Sequence, residues 1–150
     1  MKKRIYIGVD HAGFKLKEEL KIYLSKNYFV IDLGNKKLDI NDDYPIYAAK
    51  VGKAVVKNKN SFGILICGSG QGVSIAANKI KGVRAALCET KRDARLARSD
   101  DDANILCLQG RYVKSANAKR IAKIFFGTKF KNNIRYKRRI NEINKIEKWL

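Results

Sequence analysis

The chain is predicted to be an α/β protein: a five-stranded parallel sheet with helices on both faces. Three observations predict this. Strand-like and helix-like segments alternate along the 150 residues. The links between successive strands are helical, which implies βαβ crossovers and therefore parallel pairing. The strands are rich in Ile, Val and Leu without clean alternation, as expected of strands covered on both faces.

Ile5–Val9 is the first strand, and Phe14, Leu16, Leu20, Tyr23 and Leu24 then mark a helix face at three-to-four spacing. Phe29–Leu33 is the second strand. Asp42-Asp43-Tyr44-Pro45 is a helix start, a capping acid followed by a proline in the first turn, and its helix runs to about Lys57. Phe62–Cys67 is the third strand, followed by a short helix over Gln71–Asn78. Val83–Cys88 and Ile105–Gln109 are the fourth and fifth strands, separated by a charged helix over Lys91–Arg98. Ser115–Phe126 is helical, and a last helix places Ile140, Ile143, Ile146 and Leu150 on one side. That stripe either packs on a second subunit, making the chain an obligate oligomer, or folds back on its own core. With no linker, repeat or low-complexity tract, residues 1–150 form a single domain.

Composition narrows the function classes. No stretch approaches the ~18 apolar residues of a membrane span, so no membrane partner is expected. The basic start Met1-Lys2-Lys3-Arg4 resembles a signal n-region, but Asp10, His11 and Lys15 interrupt the apolar run behind it. Cys67, Cys88 and Cys107 are odd in number and lack CxxC spacing, which suits free thiols in a reducing cytoplasm. The net charge is +19, and the stretch from Arg111 to the end holds 13 Lys and Arg against two Glu. Such a charge favours encounter with anionic ligands, phosphorylated metabolites among them. Zinc fingers, aromatic-interleaved RNA motifs and an evident helix-turn-helix are all missing, so nucleic acid is not the expected partner.

The stretch Phe62–Ile75 carries the strongest chemical signal: a buried strand ends on Cys67, and a glycine-rich loop and a helix start follow at once. Cys67 is either a small buried hydrophobe or a functional thiol whose neighbouring donors favour thiolate. Gly68-Ser69-Gly70-Gln71-Gly72 lacks GxGxxG spacing and follows the third strand, which argues against a dinucleotide site. Its backbone N–H groups suit an oxyanion hole better. Parallel strands put their C-terminal tips on one side, so Asp10 and Cys67 should border one crevice with the segments after Cys88 and Gln109. His11, the single histidine, follows the first strand tip. Asp43 is either a helix cap or a ligand contact. Arg111, and Arg135 with Arg139 on one helix face, are candidates for gripping phosphate.

Val9-Asp10-His11-Ala12-Gly13-Phe14, Asp43-Tyr44-Pro45, Ile66-Cys67-Gly68-Ser69-Gly70-Gln71-Gly72 and Ala76-Ala77-Asn78-Lys79 together resemble the type B ribose-5-phosphate isomerases. Gly82-Val83-Arg84-Ala85-Ala86, Asn104-Ile105-Leu106, Gly110-Arg111 and the Arg135…Arg139 pair extend the resemblance over nearly the whole chain. The wider family includes allose-6-phosphate and galactose-6-phosphate isomerases. The resemblance implies a Rossmann-like αβα sandwich, with the C-terminal helix used in oligomerisation. It also implies a homodimer or homotetramer with active sites between subunits, and no metal or organic cofactor. It implies interconversion of ribose 5-phosphate and ribulose 5-phosphate in the pentose phosphate pathway, in the cytoplasm. Cys67 would move a proton between C1 and C2 through an enediolate, and Ser69 would assist transfer between oxygens. Gly68, Gly70, Gly72 and Ser74 would surround the substrate, while Asp10 and Asp43 would contact sugar hydroxyls. Asp101 is a substrate-binding candidate at a position where the family has Asn, a change that bears on the sugar contact there. His11, Arg111, Arg135 and Arg139 would hold the phosphate. One branch has Ser at the Cys67 position and a Glu base at the Val73 position; this chain resembles the cysteine branch.

Asp100-Asp101-Asp102 departs from the His-Asn-Asp typical of the family, where the His opens the sugar ring. Asp100 is expected to substitute, with His11 or Asp10 as fallback. A carboxylate does this well only if burial or neighbouring acids raise its pKa. Two alternatives follow: a preference for a six-carbon sugar phosphate, or an impaired homologue that binds sugar phosphate or nucleic acid.

Overall fold

A computed structural model describes residues 1–149; the Leu150 position of the last apolar stripe lies outside it. Five strands, β1 (Arg4–Val9), β2 (Phe29–Asp32), β3 (Ser61–Cys67), β4 (Ala85–Leu87) and β5 (Ile105–Gln109), form one sheet in the order β2-β1-β3-β5-β4. Every pairing is parallel, with Val9 beside Ile66 and Cys67 beside Gln109 at the strand tips. The helices are α1 (Phe14–Leu24), α2 (Tyr44–Lys57), α3 (Gln71–Ala77), α4 (Lys91–Ser99), α5 (Ser115–Gly127) and α6 (Ile134–Ile146). Chain direction across the sheet reverses between β1 and β3: β1 leads to β2 on one side, β3 towards β4 on the other. A crevice outside the strand tips is expected at that reversal.

Side-chain alternation along the strands sorts the helices between the two faces. Ile5, Ile7, Val9, Ile64, Ile66, Leu106 and Leu108 pack with α1, α4 and α5. Tyr6, Leu65, Cys67, Ile105 and Cys107 pack with α2 and α3. Apolar residues on both faces explain why the strands read as near-continuous hydrophobic runs. Phe62, Phe125 and Phe126 interlock on the first face at centroid separations of 5.3 to 6.4 Å. On the second, Gly63 admits α2 closely, since a Cβ there would lie 2.7 Å from Val51 Cγ1.

Two expected elements come out differently. The fourth strand covers Ala85–Leu87 rather than Val83–Cys88. Its start is taken over by side chains: Asn104 Oδ1 accepts the Arg84 N–H at 2.8 Å, and Asn78 Oδ1 accepts that of Ala85 at 2.9 Å. The last helix buries none of its residues in its own core. It crosses beside β4, tied where Glu147 Oε1 accepts the Gly82 N–H at 2.8 Å. Ile134, Ile143, Ile146 and Trp149 stay exposed.

Candidate active site

The strand tips of β1, β3 and β5 meet through short backbone hydrogen bonds. The Asp10 N–H donates to Ile66 O (3.3 Å), the Gly110 N–H to Cys67 O (2.8 Å) and the Arg111 N–H to Gly68 O (3.1 Å). These bonds hold Asp10, Cys67, Gly68 and Arg111 at one edge of the sheet. Cys67 is 4 % exposed and lies on the α2–α3 face. The Arg111 guanidinium lies against Gly68, where a Cβ would sit 3.1 Å from Nη1.

The glycine loop is shaped by Gly70, whose φ of +76° is left-handed and whose added Cβ would lie 3.0 Å from Leu108 O. That turn delivers the chain into α3 directly after Cys67. Ser69 is exposed, and its hydroxyl accepts the Gln71 N–H at 3.3 Å. First-turn N–H groups of a helix have no acceptors within it, so those of Gly72 and Val73 remain available beside Cys67. Gly72 packs beneath the Tyr44 ring. Ser74, two residues further on, turns its hydroxyl to the Cys107 thiol, whose pKa burial drives upward.

Asp10 is buried, and its carboxylate accepts the Ala12 N–H at 3.0 Å. Burial raises its pKa, against the backbone hydrogen bond from Ala12 and the positive influence of His11. His11 sits in a single 3-10 turn over His11–Gly13. Its backbone N–H donates to Asp42 Oδ1 at 2.8 Å, and its Nδ1 lies 3.0 Å from the same oxygen. The Asp42 hydrogen bond raises the imidazole pKa, partly opposed by burial and by Arg111.

Asp43 caps α2 by backbone position only: its side chain makes no cap hydrogen bond. Asp43 thus occupies the cap position while its carboxylate is left exposed beside Tyr44.

Asp100, Asp101, Arg135 and Arg139 are not at this edge. Helix α4 runs back antiparallel to the strands, so its C-terminal residues reach the opposite edge, where Asn104 O accepts the Gly63 N–H at 2.9 Å. Four strand steps from Gly63 to Cys67 span about 13 Å. Asp100 is held by the Ser99 hydroxyl at 2.6 Å and by Lys131 Nζ at 3.2 Å. Those contacts, with Arg139 nearby, lower its pKa. Burial thus raises the carboxyl pKa of Asp10, whereas the hydroxyl and ammonium beside Asp100 lower that of Asp100. Asp101 borders an apolar cavity of about 360 Å³ with Ile143 and Ile146. Asp102, at φ +46°, pairs with Arg98 at 2.7 Å and Arg84 at 3.1 Å, a purely structural role.

Sequence reasoning passed over Asp42, reading it only as part of a helix start, and Lys17 and Asn35 beneath it. The Lys17 signal was present: it stands three residues before Leu20 and seven before Leu24, on the buried face.

A thiol, a donor-rich turn, a histidine and an arginine thus gather at the strand tips where chain direction across the parallel sheet reverses, the place where α/β folds of this class bind small ligands. The family model for Ribose/Galactose Isomerase matches residues 5–143. The chain belongs to that family. It is 40% identical over 146 residues to the ribose-5-phosphate isomerase B of Escherichia coli, covering 97% of both chains. The ribose-5-phosphate isomerase B of Mycoplasma genitalium, solved with bound ribulose-5-phosphate, superposes with a TM-score of 0.93 at 44% identity, covering 97% of this chain and 96% of that one. The type B enzyme of Trypanosoma cruzi gives a TM-score of 0.94 at 38% identity, covering 99% and 98%. Among the described residues, no helix is long and apolar enough to cross a membrane.

Proposed function

We propose that the protein interconverts ribose 5-phosphate and ribulose 5-phosphate. The observation that carries this reading is the meeting of Cys67, the Gly68–Gly72 turn, His11 and Arg111 at one sheet edge, in a chain of this family. The Cys67 thiolate takes the C2 proton of the open-chain aldose and returns it to C1 of the enediolate. First-turn N–H groups of α3 stabilise the oxyanion, since donors placed where charge develops are effective out of water. The Ser69 hydroxyl passes a proton between O1 and O2. Only protons move, so the chemistry calls for no metal or organic cofactor. Asp10 and Asp43 face the sugar hydroxyls, and His11 and Arg111 hold the phosphate.

Arg135, Arg139, Asp100 and Asp101 lie at the far edge of their own subunit, so in this reading they serve the crevice of a second copy. A two-fold homodimer accomplishes this twice at once. The unburied stripe of α6 suits such an interface. Ring opening goes to Asp10, whose raised pKa makes it the better proton acceptor, rather than to Asp100.

Turnover of ribose 5-phosphate and of allose 6-phosphate, measured side by side, tests the reading. The account expects the larger kcat/KM on the five-carbon sugar. Preference for the six-carbon substrate, or turnover of neither, would contradict it.

A further inference from the structure

Beside the crevice lies a polar array that the chemistry above does not use. Lys17, on α1, is 0 % exposed. Its ammonium donates to Asp32 Oδ2 at 2.8 Å and to the backbone carbonyl of Asn35. Lys21 shares Asp32 Oδ2 at 2.8 Å, and the Gly34 N–H takes Oδ1 at 2.9 Å. Burying an ammonium is costly unless it is paired and hydrogen-bonded, so these contacts fix the loop that follows β2. From that loop the Asn35 amide donates to Asp42 Oδ2 at 3.0 Å, while Asp42 Oδ1 accepts the His11 backbone N–H and lies 3.0 Å from the ring Nδ1. The Asp42 side chain is 7 % exposed and the His11 ring 32 %.

An ionised carboxylate only accepts, so Nδ1 presents its N–H to Asp42, and in the imidazolium form the Nε2–H is left free to donate. Building on the isomerase reading, we propose that Asp42, braced by Asn35 and Lys17, is a positioning residue that keeps His11 oriented as a cationic donor for the substrate phosphate. Asp42 touches no reacting atom; it acts through the imidazole.

The groups facing His11 come from three elements: Asp10 at the end of β1, Asp42 before α2 and Arg111 after β5. Tyr47 of α2 closes over Asp42, its phenol pushed up to about 12 by burial and by that carboxylate. The sign follows from the raised imidazole. Phosphate affinity is highest while His11 is protonated, and declines as pH rises through a value above the ordinary 6.5.

His11 is the single histidine in the sequence, so proton NMR reads its imidazole without ambiguity. The experiment follows that resonance against pH in the full-length protein, with and without inorganic phosphate. It compares wild type, Asp42→Asn and Asn35→Ala, with KM and kcat on ribose 5-phosphate beside it. In Asp42→Asn the midpoint is expected to drop towards 6.5 and the phosphate response to weaken. KM at neutral pH should rise roughly tenfold, the loss of one charge-assisted hydrogen bond, with a smaller change in kcat. Asn35→Ala should move the midpoint the same way by less, and it serves as the second probe should Asp42→Asn fail to fold. An unmoved midpoint in both variants would overturn the proposal, as would a wild-type imidazole that ignores phosphate. A wild-type phosphate response without isomerase turnover would sink the substrate assignment and leave this inference standing.

Discussion

Among individual residues, the contrast between Asp10 and Asp100 shows how environment assigns chemistry. Asp10 loses hydration at a buried strand tip, and its charged form is disfavoured. Asp100 gains a hydroxyl, an ammonium and a nearby guanidinium, and its charged form is favoured. A proton acceptor works best with a pKa near the working pH, so the two carboxylates separate in catalytic value. With ribose 5-phosphate supplied mainly as ring forms, Asp10→Asn should reduce kcat by about 10²-fold or more. Asp100→Asn should reduce it less than about tenfold, which steady-state kinetics at neutral pH would check. The reverse ranking would return ring opening to the triple aspartate.

Secondary-structure elements place these groups, and the turn at Gly70 matters most. A side chain there would meet both an unfavourable φ and the Leu108 carbonyl. Gly70→Ala should therefore cost about 1–3 kcal/mol of stability, measurable by denaturant titration. An unchanged midpoint would show that the turn relaxes freely. The strand–turn–helix order around Cys67 was legible in the sequence because three glycines follow an apolar run that ends on the thiol. So was the parallel sheet, through its alternating segments. The shortening of β4 was not legible, because it depends on Asn78 and Asn104 reaching backbone groups from other segments. Nor was the choice between Asp42 and Asp43: adjacent acids before a proline look alike until the fold brings His11, 31 residues away, to one of them.

For the whole molecule, the separation of two groups of candidate residues has consequences for assembly. Local spacing revealed that Arg135 and Arg139 share a helix face, but their distance from Cys67 follows only from the antiparallel return of α4 and the path of α6. A site completed by a second copy predicts complementation. Cys67→Ala and Arg139→Ala, each inactive alone, should regain about a quarter of wild-type turnover after mixing and subunit exchange, because hybrid dimers carry one intact site. No recovery, despite demonstrated exchange, would place each site within a single subunit. Everything in this scheme depends on one thiol. The most direct measurement is therefore conversion of ribose 5-phosphate to ribulose 5-phosphate by wild type and by Cys67→Ala. The account predicts a fall in kcat of at least about 10³-fold with the fold intact, whereas turnover within about tenfold of wild type would contradict Cys67 as the base.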